Sequence, residues 1–276
     1  MTMGAPDLLR QGDVAGALQA LQAQIRAEPA KSEHRVFLFQ LLCVTGEWDR
    51  ALTQLAVAGE MDPGTLGMVH VYRSAVQAEA LRREVFSGRK TPLIFGDPDE
   101  WIALLLEALK LAAIGEIAKG QELREQAFEL APATLGLLNG QPFEWLADAD
   151  MRLGPMLEAI MNGRYYWIPL HRVAEMQIEE PQDLRDLVWV PARFKWTNGG
   201  EAVALLPGRY PGSEASADPM VRLARRTEWV DQGHGVYFGL GQRMLATDAD
   251  EFPLMEVRTV VLSASAADQR DLGANG

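Results

Sequence analysis

The sequence predicts a multidomain α and α+β fold: helical repeats over residues 1–132, an α+β domain with a mainly antiparallel sheet over 133–265, and a flexible tail over 266–276. Three observations carry this prediction. Marker residues recur at an offset of 34 in the first part, tryptophan and turn residues become dense after Pro132, and period-two apolar alternation sets in from Val188.

Gly12 recurs as Gly46, Ala17 and Leu18 as Ala51 and Leu52, and Pro29 as Pro63, each 34 residues on, the length of a tetratricopeptide repeat. Gly12 and Gly46 fall where a chain turns between two helices, a position that tolerates glycine best. Ala17 and Ala51 are small enough for close helix packing, and Pro29 and Pro63 end the second helix of each pair. Val14, Leu18, Leu21 and Ile25 share one helical face, as do Val36, Phe39, Leu41 and Leu42. A third, degraded unit follows, with Gly115 and Pro132 lying 69 residues after Gly46 and Pro63, and Gly120 standing where alanine is expected. The stretch 82–100, which holds Gly88, Pro92, Gly96, Asp97 and Pro98, reads as an irregular loop or insertion.

Stacks of this kind make concave surfaces that bind extended or helical peptides, or serve as scaffold alone. If the first helix of the second unit lines such a groove, it does so with Val36, Gln40 and Cys43.

In the second part, 151–160 and 181–187 are expected helices, the latter opening with Pro181 in its first turn. Over 188–207 the residues Val188, Val190, Ala192, Phe194 and Trp196 alternate, and Asn198 with Gly199 supplies the positive φ angles of a tight hairpin. Residues 228–243 form a second strand region broken by glycines. Near the end, Met255, Val257, Thr259 and Val261 are expected to share one face of a strand.

Hydrophobic residues make up 48% and charged residues 23%, a composition that supports a packed core. The net charge of −12 is spread over both parts, with 13 basic and 18 acidic residues in 1–132 and 13 and 20 in 133–276. Neither part has the basic excess that phosphate-backbone binding requires, and Arg222, Arg225 and Arg226 read as a solvated helix face, so no nucleic-acid partner is expected. The single cysteine, Cys43, rules out an intrachain disulfide and fits a reducing compartment. The N-terminus lacks a signal-peptide pattern, and the apolar stretch 101–115 is short and interrupted by Glu107 and Lys110, so a cytoplasmic location without a membrane span is expected.

Asp148 and Asp150, two apart and followed by Arg152, form the sharpest constellation with chemical potential. They are read as caps of a helix starting near Met151 and as partners of the arginine, in preference to ligands of a hard cation. His171 and Glu175, four apart, would share a helix face as base and orienter or as metal ligands, without any zinc-protease pattern around them. The glycines of 233–241 match neither GxGxxG nor a phosphate loop, and no GxSxG elbow is present. No catalytic residue, cofactor, metal or small-molecule substrate is assigned; the competing reading is a metal-dependent or hydrolytic module built on Asp148, Asp150 and His171. Arg164, Tyr165, Tyr166 and Trp167, with Arg209 and Tyr210, are residue types that anchor interfaces and also fill cores.

Six stretches in order resemble the ImpE (SciE or TagJ) accessory proteins of bacterial type VI secretion systems: 143–169, 178–192, 198–201, 205–214, 223–229 and 239–243. They read FEWLADADMRLGPMLEAIMNGRYYWIP, IEEPQDLRDLVWVPA, NGGE, LLPGRYPGSE, LARRTEW and GLGQR. The resemblance implies tetratricopeptide-like helices before an α+β domain. It also implies a cytoplasmic, non-enzymatic adaptor that binds the small sheath subunit TssB through an N-terminal helix of that subunit and acts in sheath assembly or in disassembly by the ClpV unfoldase. It carries over no catalytic residues. The partner is expected either in the groove at Val36, Gln40 and Cys43 or on a C-terminal surface around Arg164, Tyr165 and Tyr210.

Overall fold

In the computed structural model, residues 3–263 are described; the expected tail 266–276 lies outside them. The helical hairpins form where the 34-residue marks place them: α1 (Ala5–Arg10) with α2 (Val14–Ala27), then α3 (Ser32–Val44) with α4 (Trp48–Met61). Pro6 sits in the first turn of α1, and Asp13 caps α2 by accepting the Gly16 amide at 2.8 Å. Gly12 and Gly46 take φ of 82° and 71°, the left-handed conformation each inter-helix turn needs.

Pro63 closes α4 through a 3-10 turn, Pro63–Thr65, from which the 21-residue α5 (Leu66–Phe86) departs. The degraded third unit is a helical hairpin, α6 (Glu100–Ala113) and α7 (Ile117–Leu130), turning at Gly115. Gly120 replaces alanine because a Cβ there would stand 2.9 Å from the Ala108 carbonyl oxygen. Of the expected insertion 82–100, residues 82–86 finish α5, and the loop beyond contributes a strand, β1 (Leu93–Ile94).

The remaining strands are β2 (Gly136–Leu138), β3 (Gln141–Phe143), β4 (Leu146–Asp148), β5 (Met156–Met161), β6 (Arg164–Pro169), β7 (Val173–Ile178), β8 (Trp189–Trp196) and β9 (Glu201–Pro207). A four-residue helix, α8 (Pro219–Arg222), precedes β10 (Thr227–Asp231), β11 (Tyr237–Gly241), β12 (Met244–Thr247), β13 (Glu251–Pro253) and β14 (Thr259–Leu262). The main sheet runs β1-β6-β5-β9-β8-β7-β14-β2-β3, antiparallel except where β1 lies parallel to β6. A small sheet β13-β12-β4 and the separate hairpin β10-β11 complete the fold.

Four local expectations are corrected. Residues 151–155 form turns and 156–161 are β5, not a helix. This strand is buried on both faces, so, with Glu158 as its one charged residue, it lacks the apolar-polar alternation that marks a half-exposed strand. The second expected helix is reduced to a 3-10 turn, Leu184–Leu187, closed by reciprocal capping between Asp183 and Asp186. The β8–β9 hairpin forms around Asn198 and Gly199, but only Gly199 has positive φ, in a four-residue loop between Trp196 and Glu201. In the last strand the phase is inverted: Val260 and Leu262 are buried, Val261 is exposed, and Met255 belongs to a preceding 3-10 turn.

The described residues form two apolar cores, which do not follow the two parts of the chain. In the first, Phe39, Tyr72 and Leu105 of the helices pack on Met156, Ile160, Trp167 and Trp189 of the sheet. The second lies on the opposite sheet face, where Leu157, Ile168, Val190 and Phe194 meet Leu245, Leu254 and Val257. Trp189 reaches into the helices, its ring 6.0 Å from both Trp48 and Tyr72.

Candidate functional site

The acidic constellation of the sequence is part of a buried charge network that joins helices to sheet. Arg82 of α5 donates to both carboxylate oxygens of Glu158 on β5, at 2.6 and 3.0 Å, and to the Arg209 carbonyl at 2.7 Å. Arg243 donates to Glu158 Oε2, which Arg82 also meets, to Asp148, and to the Pro207 carbonyl at 2.8 Å. Tyr165 donates its hydroxyl proton to Glu158 and accepts the Trp167 indole N–H at 2.8 Å. Burial pushes the Glu158 carboxyl up, but Arg82 and Arg243 outweigh it and hold the pKa at about 2. At Asp148 burial wins over the single arginine, Arg243, and the carboxyl rises to about 6.

Asp150 and Arg152 are paired, as the sequence suggested, but they cap no helix. The Asp150 carboxylate accepts the Gly239 amide at 2.8 Å while Arg152 donates to the Gly239 carbonyl at 3.1 Å, so the pair grips the backbone of β11 as a neighbouring strand would. Glycine is required at 239, since a Cβ would stand 2.3 Å from the ring of Tyr210. Tyr210 in turn is fixed by donating to Asp148 at 3.1 Å and accepting the Met244 amide at 3.0 Å.

His171 does not join the aspartates. It lies in a 3-10 turn, Leu170–Arg172, with Nε2 3.4 Å from Asp99 and its ring beside Trp101. Glu175 is on β7, so the expected shared helix face does not form. Among the described residues no group of three or more His, Cys, Asp or Glu is placed to hold a metal ion, and no helix is long and apolar enough to cross a membrane. The arginines at 222–226 are not a free basic face: Arg225 donates to the Leu9 carbonyl at 2.9 Å and Arg226 pairs with Asp218 at 2.7 Å.

The residues expected to meet a partner are mostly interior. Gln40 and Cys43 are buried in α3, whose end is covered by the chain's own second part: Arg209 donates to the Cys43 and Val44 carbonyls at 3.2 and 2.9 Å. Tyr165 and Tyr210 are buried because their hydroxyls complete the charge network. Val36 is half-buried, and Arg164, at the start of β6, is exposed. The repeat face that would take a peptide is thus filled in cis by Trp189, Leu205 and the turn Leu184–Leu187.

An apolar opening lies elsewhere on the surface. A cavity of about 470 Å³ separates the end of α7 from β4 and the turn after it, walled by Phe128, Pro132, Trp145, Leu146, Met151 and Pro155, with Asp148 also on its lining. Its size falls in the range of binding clefts. Trp145 stands at the opening with 42% of its surface exposed, and Leu130 and Leu135, on the segments that enter and leave this wall, are exposed as well. Gly154 makes the wall possible, because a Cβ there would meet the Phe128 ring at 2.3 Å. Glu129 and Glu144 adjoin the lining residues Phe128 and Trp145 in sequence, and Asp248 accepts the Glu144 amide at 2.7 Å; all three are exposed and enter no ion pair among the described residues. The sequence reading of this segment concerns Asp148, Asp150 and Arg152 alone; that Trp145, Leu146, Met151 and Pro155 form a wall has no local signal in the sequence, because it depends on α7 packing against them.

Comparison with known proteins agrees with this architecture. Residues 8–70 match the tetratricopeptide repeat model, and residues 140–261 match the model described as ImpE protein. A crystal structure of protein VPA1032 from Vibrio parahaemolyticus superimposes with a TM-score of 0.85 at 25% identity, covering 95% of this chain and 98% of that one. The type VI secretion system accessory component TagJ of Pseudomonas aeruginosa is 52% identical over 258 residues, which is 94% of this chain and 90% of that protein. With a relative this similar along nearly its whole length and the ImpE model matching its sheet-rich half, the chain belongs to the ImpE family.

Proposed function

We propose that the chain is a cytoplasmic, non-enzymatic accessory component of a bacterial type VI secretion system. It binds the small sheath subunit TssB, through the N-terminal helix of that subunit, and so modulates sheath assembly or ClpV-linked disassembly. The observation that carries this reading is the near full-length similarity to TagJ, a protein named for an accessory role in that system. The geometry supports binding over catalysis. The carboxylates with chemical potential are spent on buried arginines and backbone amides, Asp148 and Asp150 are apart from the turn that holds His171, and an apolar pocket with an exposed tryptophan remains open.

Titration of the full chain with purified TssB, by calorimetry, tests the reading. Saturable binding that is lost when the N-terminal helix of TssB is deleted is the expected result. No binding to intact TssB overturns the assignment of the partner.

A further inference from the structure

We infer that the apolar pocket beneath Trp145 is the docking surface, and that its occupant is an amphipathic helix of another protein carrying basic residues beside its apolar face. This rests on the protein-binding reading above and deepens it, since family membership names no surface.

The walls are held before any partner arrives. On one side stands the C-terminal turn of α7 with Phe128, followed by Ala131 and Pro132; on the other stands the segment 145–155. That segment is anchored by the pairs Asp150 with Arg152 and Asp148 with Arg243, so its turn does not have to be ordered on binding. An apolar centre with a large aromatic at its edge is the arrangement in which few residues supply most of the affinity.

The mode of capture follows from the hydrogen bonds of β4. One edge of β4 pairs with β12. On the other, the Leu146 amide donates to the Thr134 hydroxyl at 3.3 Å and the Asp148 amide donates to the Gly154 carbonyl at 2.7 Å. An added strand would find these amides taken, which leaves capture of apolar side chains in the trough, the mode an amphipathic helix uses.

Charge selects among occupants. Exposed Glu129 and Glu144 neighbour the lining residues Phe128 and Trp145 in sequence, Asp248 is held on the Glu144 amide beside Trp145, and the one arginine of the segment 145–155, Arg152, is already paired with Asp150. Basic residues on the partner would neutralise this rim and speed encounter. A second copy would bring the same carboxylates and a net charge of −12 against it. Residues 264–276 of the chain itself carry Asp268, Arg270 and Asp271 with Leu272 as their one large apolar residue, a poor complement to an acidic apolar trough.

The test uses the full chain and TssB. Trp145→Ala and the double change Glu129→Lys with Glu144→Lys are each expected to weaken binding by about tenfold or more, and wild-type binding is expected to weaken as salt is raised. Both variants are at exposed positions and should keep the wild-type Tm. Wild-type binding that neither variant weakens overturns this inference and leaves the proposed function standing, whereas no wild-type binding at all removes both. Two partner-free results would also overturn it. One is concentration-dependent dimerisation abolished by Trp145→Ala, which assigns the pocket to a second copy. The other is removal of 264–276 that raises acrylamide quenching of the wild type but not of Trp145→Ala, which assigns it to the chain's own tail.

Discussion

Replacing Arg82 with methionine keeps most of the side-chain volume and removes the charge that joins α5 to the sheet. Three good hydrogen bonds go with it, two to Glu158 and one to the Arg209 carbonyl. Glu158 is then left, fully buried, to share Arg243 with Asp148. Breaking a buried pair from one side costs about 3–5 kcal/mol, because the remaining charge stays desolvated. A second route gives a similar size. The Glu158 carboxyl lies at about 2 in the folded protein against an ordinary 4.5, which corresponds to about 3 kcal/mol of preference for the ionised form. A depressed folded value means that this stability is present above 4.5 and is lost as pH falls from there through about 2. Urea denaturation of the wild type and Arg82→Met should therefore differ by about 3–5 kcal/mol at pH 7, and the gap should narrow as the pH is lowered from about 4.5 towards 2. A difference below about 1 kcal/mol at pH 7, or one independent of pH, would refute the claim that this network holds helices and sheet together.

Gly239→Ala should cost about 1–3 kcal/mol or more by urea denaturation, since the Tyr210 ring it would strike is fixed by its hydroxyl. Asp150→Ala should speed hydrogen exchange at the Gly239 amide and in the β10–β11 hairpin while leaving the β8–β9 hairpin protected, because the carboxylate is the acceptor that holds β11. For Asp148 the sign is opposite to that of Glu158. Its folded pKa of about 6 lies above the ordinary 3.8, so the folded state takes the proton first and this group adds stability as pH falls from about 6 to 3.8. Asp148→Asn should lack that gain when Tm is followed between pH 7.5 and 4. Burial in α3 raises the Cys43 thiol pKa, so a thiol reagent should label it in denaturant and leave it unlabelled in the native chain.

The repeats were legible because each mark has one mechanical purpose: Gly12 and Gly46 supply left-handed turns, and Ala17 and Ala51 are fully buried contacts. The β8–β9 hairpin was legible because its even-numbered residues face one core and its odd-numbered ones are mostly outside. Residues 156–161 were not, since a strand buried on both faces has the composition of a helix and loses the period that distinguishes it. The burial of Tyr165 and Tyr210 was hidden for a related reason. Tyrosine beside arginine describes a wet interface and a dry network equally well, and only the fold shows Tyr165 and Tyr210 handing their hydroxyls to buried carboxylates. That α3 would be covered by the chain's own sheet was beyond local reading as well, because Arg209 meets Val44 across 165 residues of sequence.

The central claim is that the partner docks outside the repeat face, which the chain fills with its own second part. Hydrogen exchange of the full chain, with and without saturating TssB, tests it most directly. New protection confined to the end of α7 and residues 131–134 and 145–155, with α3 and α5 unchanged, is the predicted result. Protection or opening of α3 around Gln40 and Val44, with no change at 145–155, would contradict it.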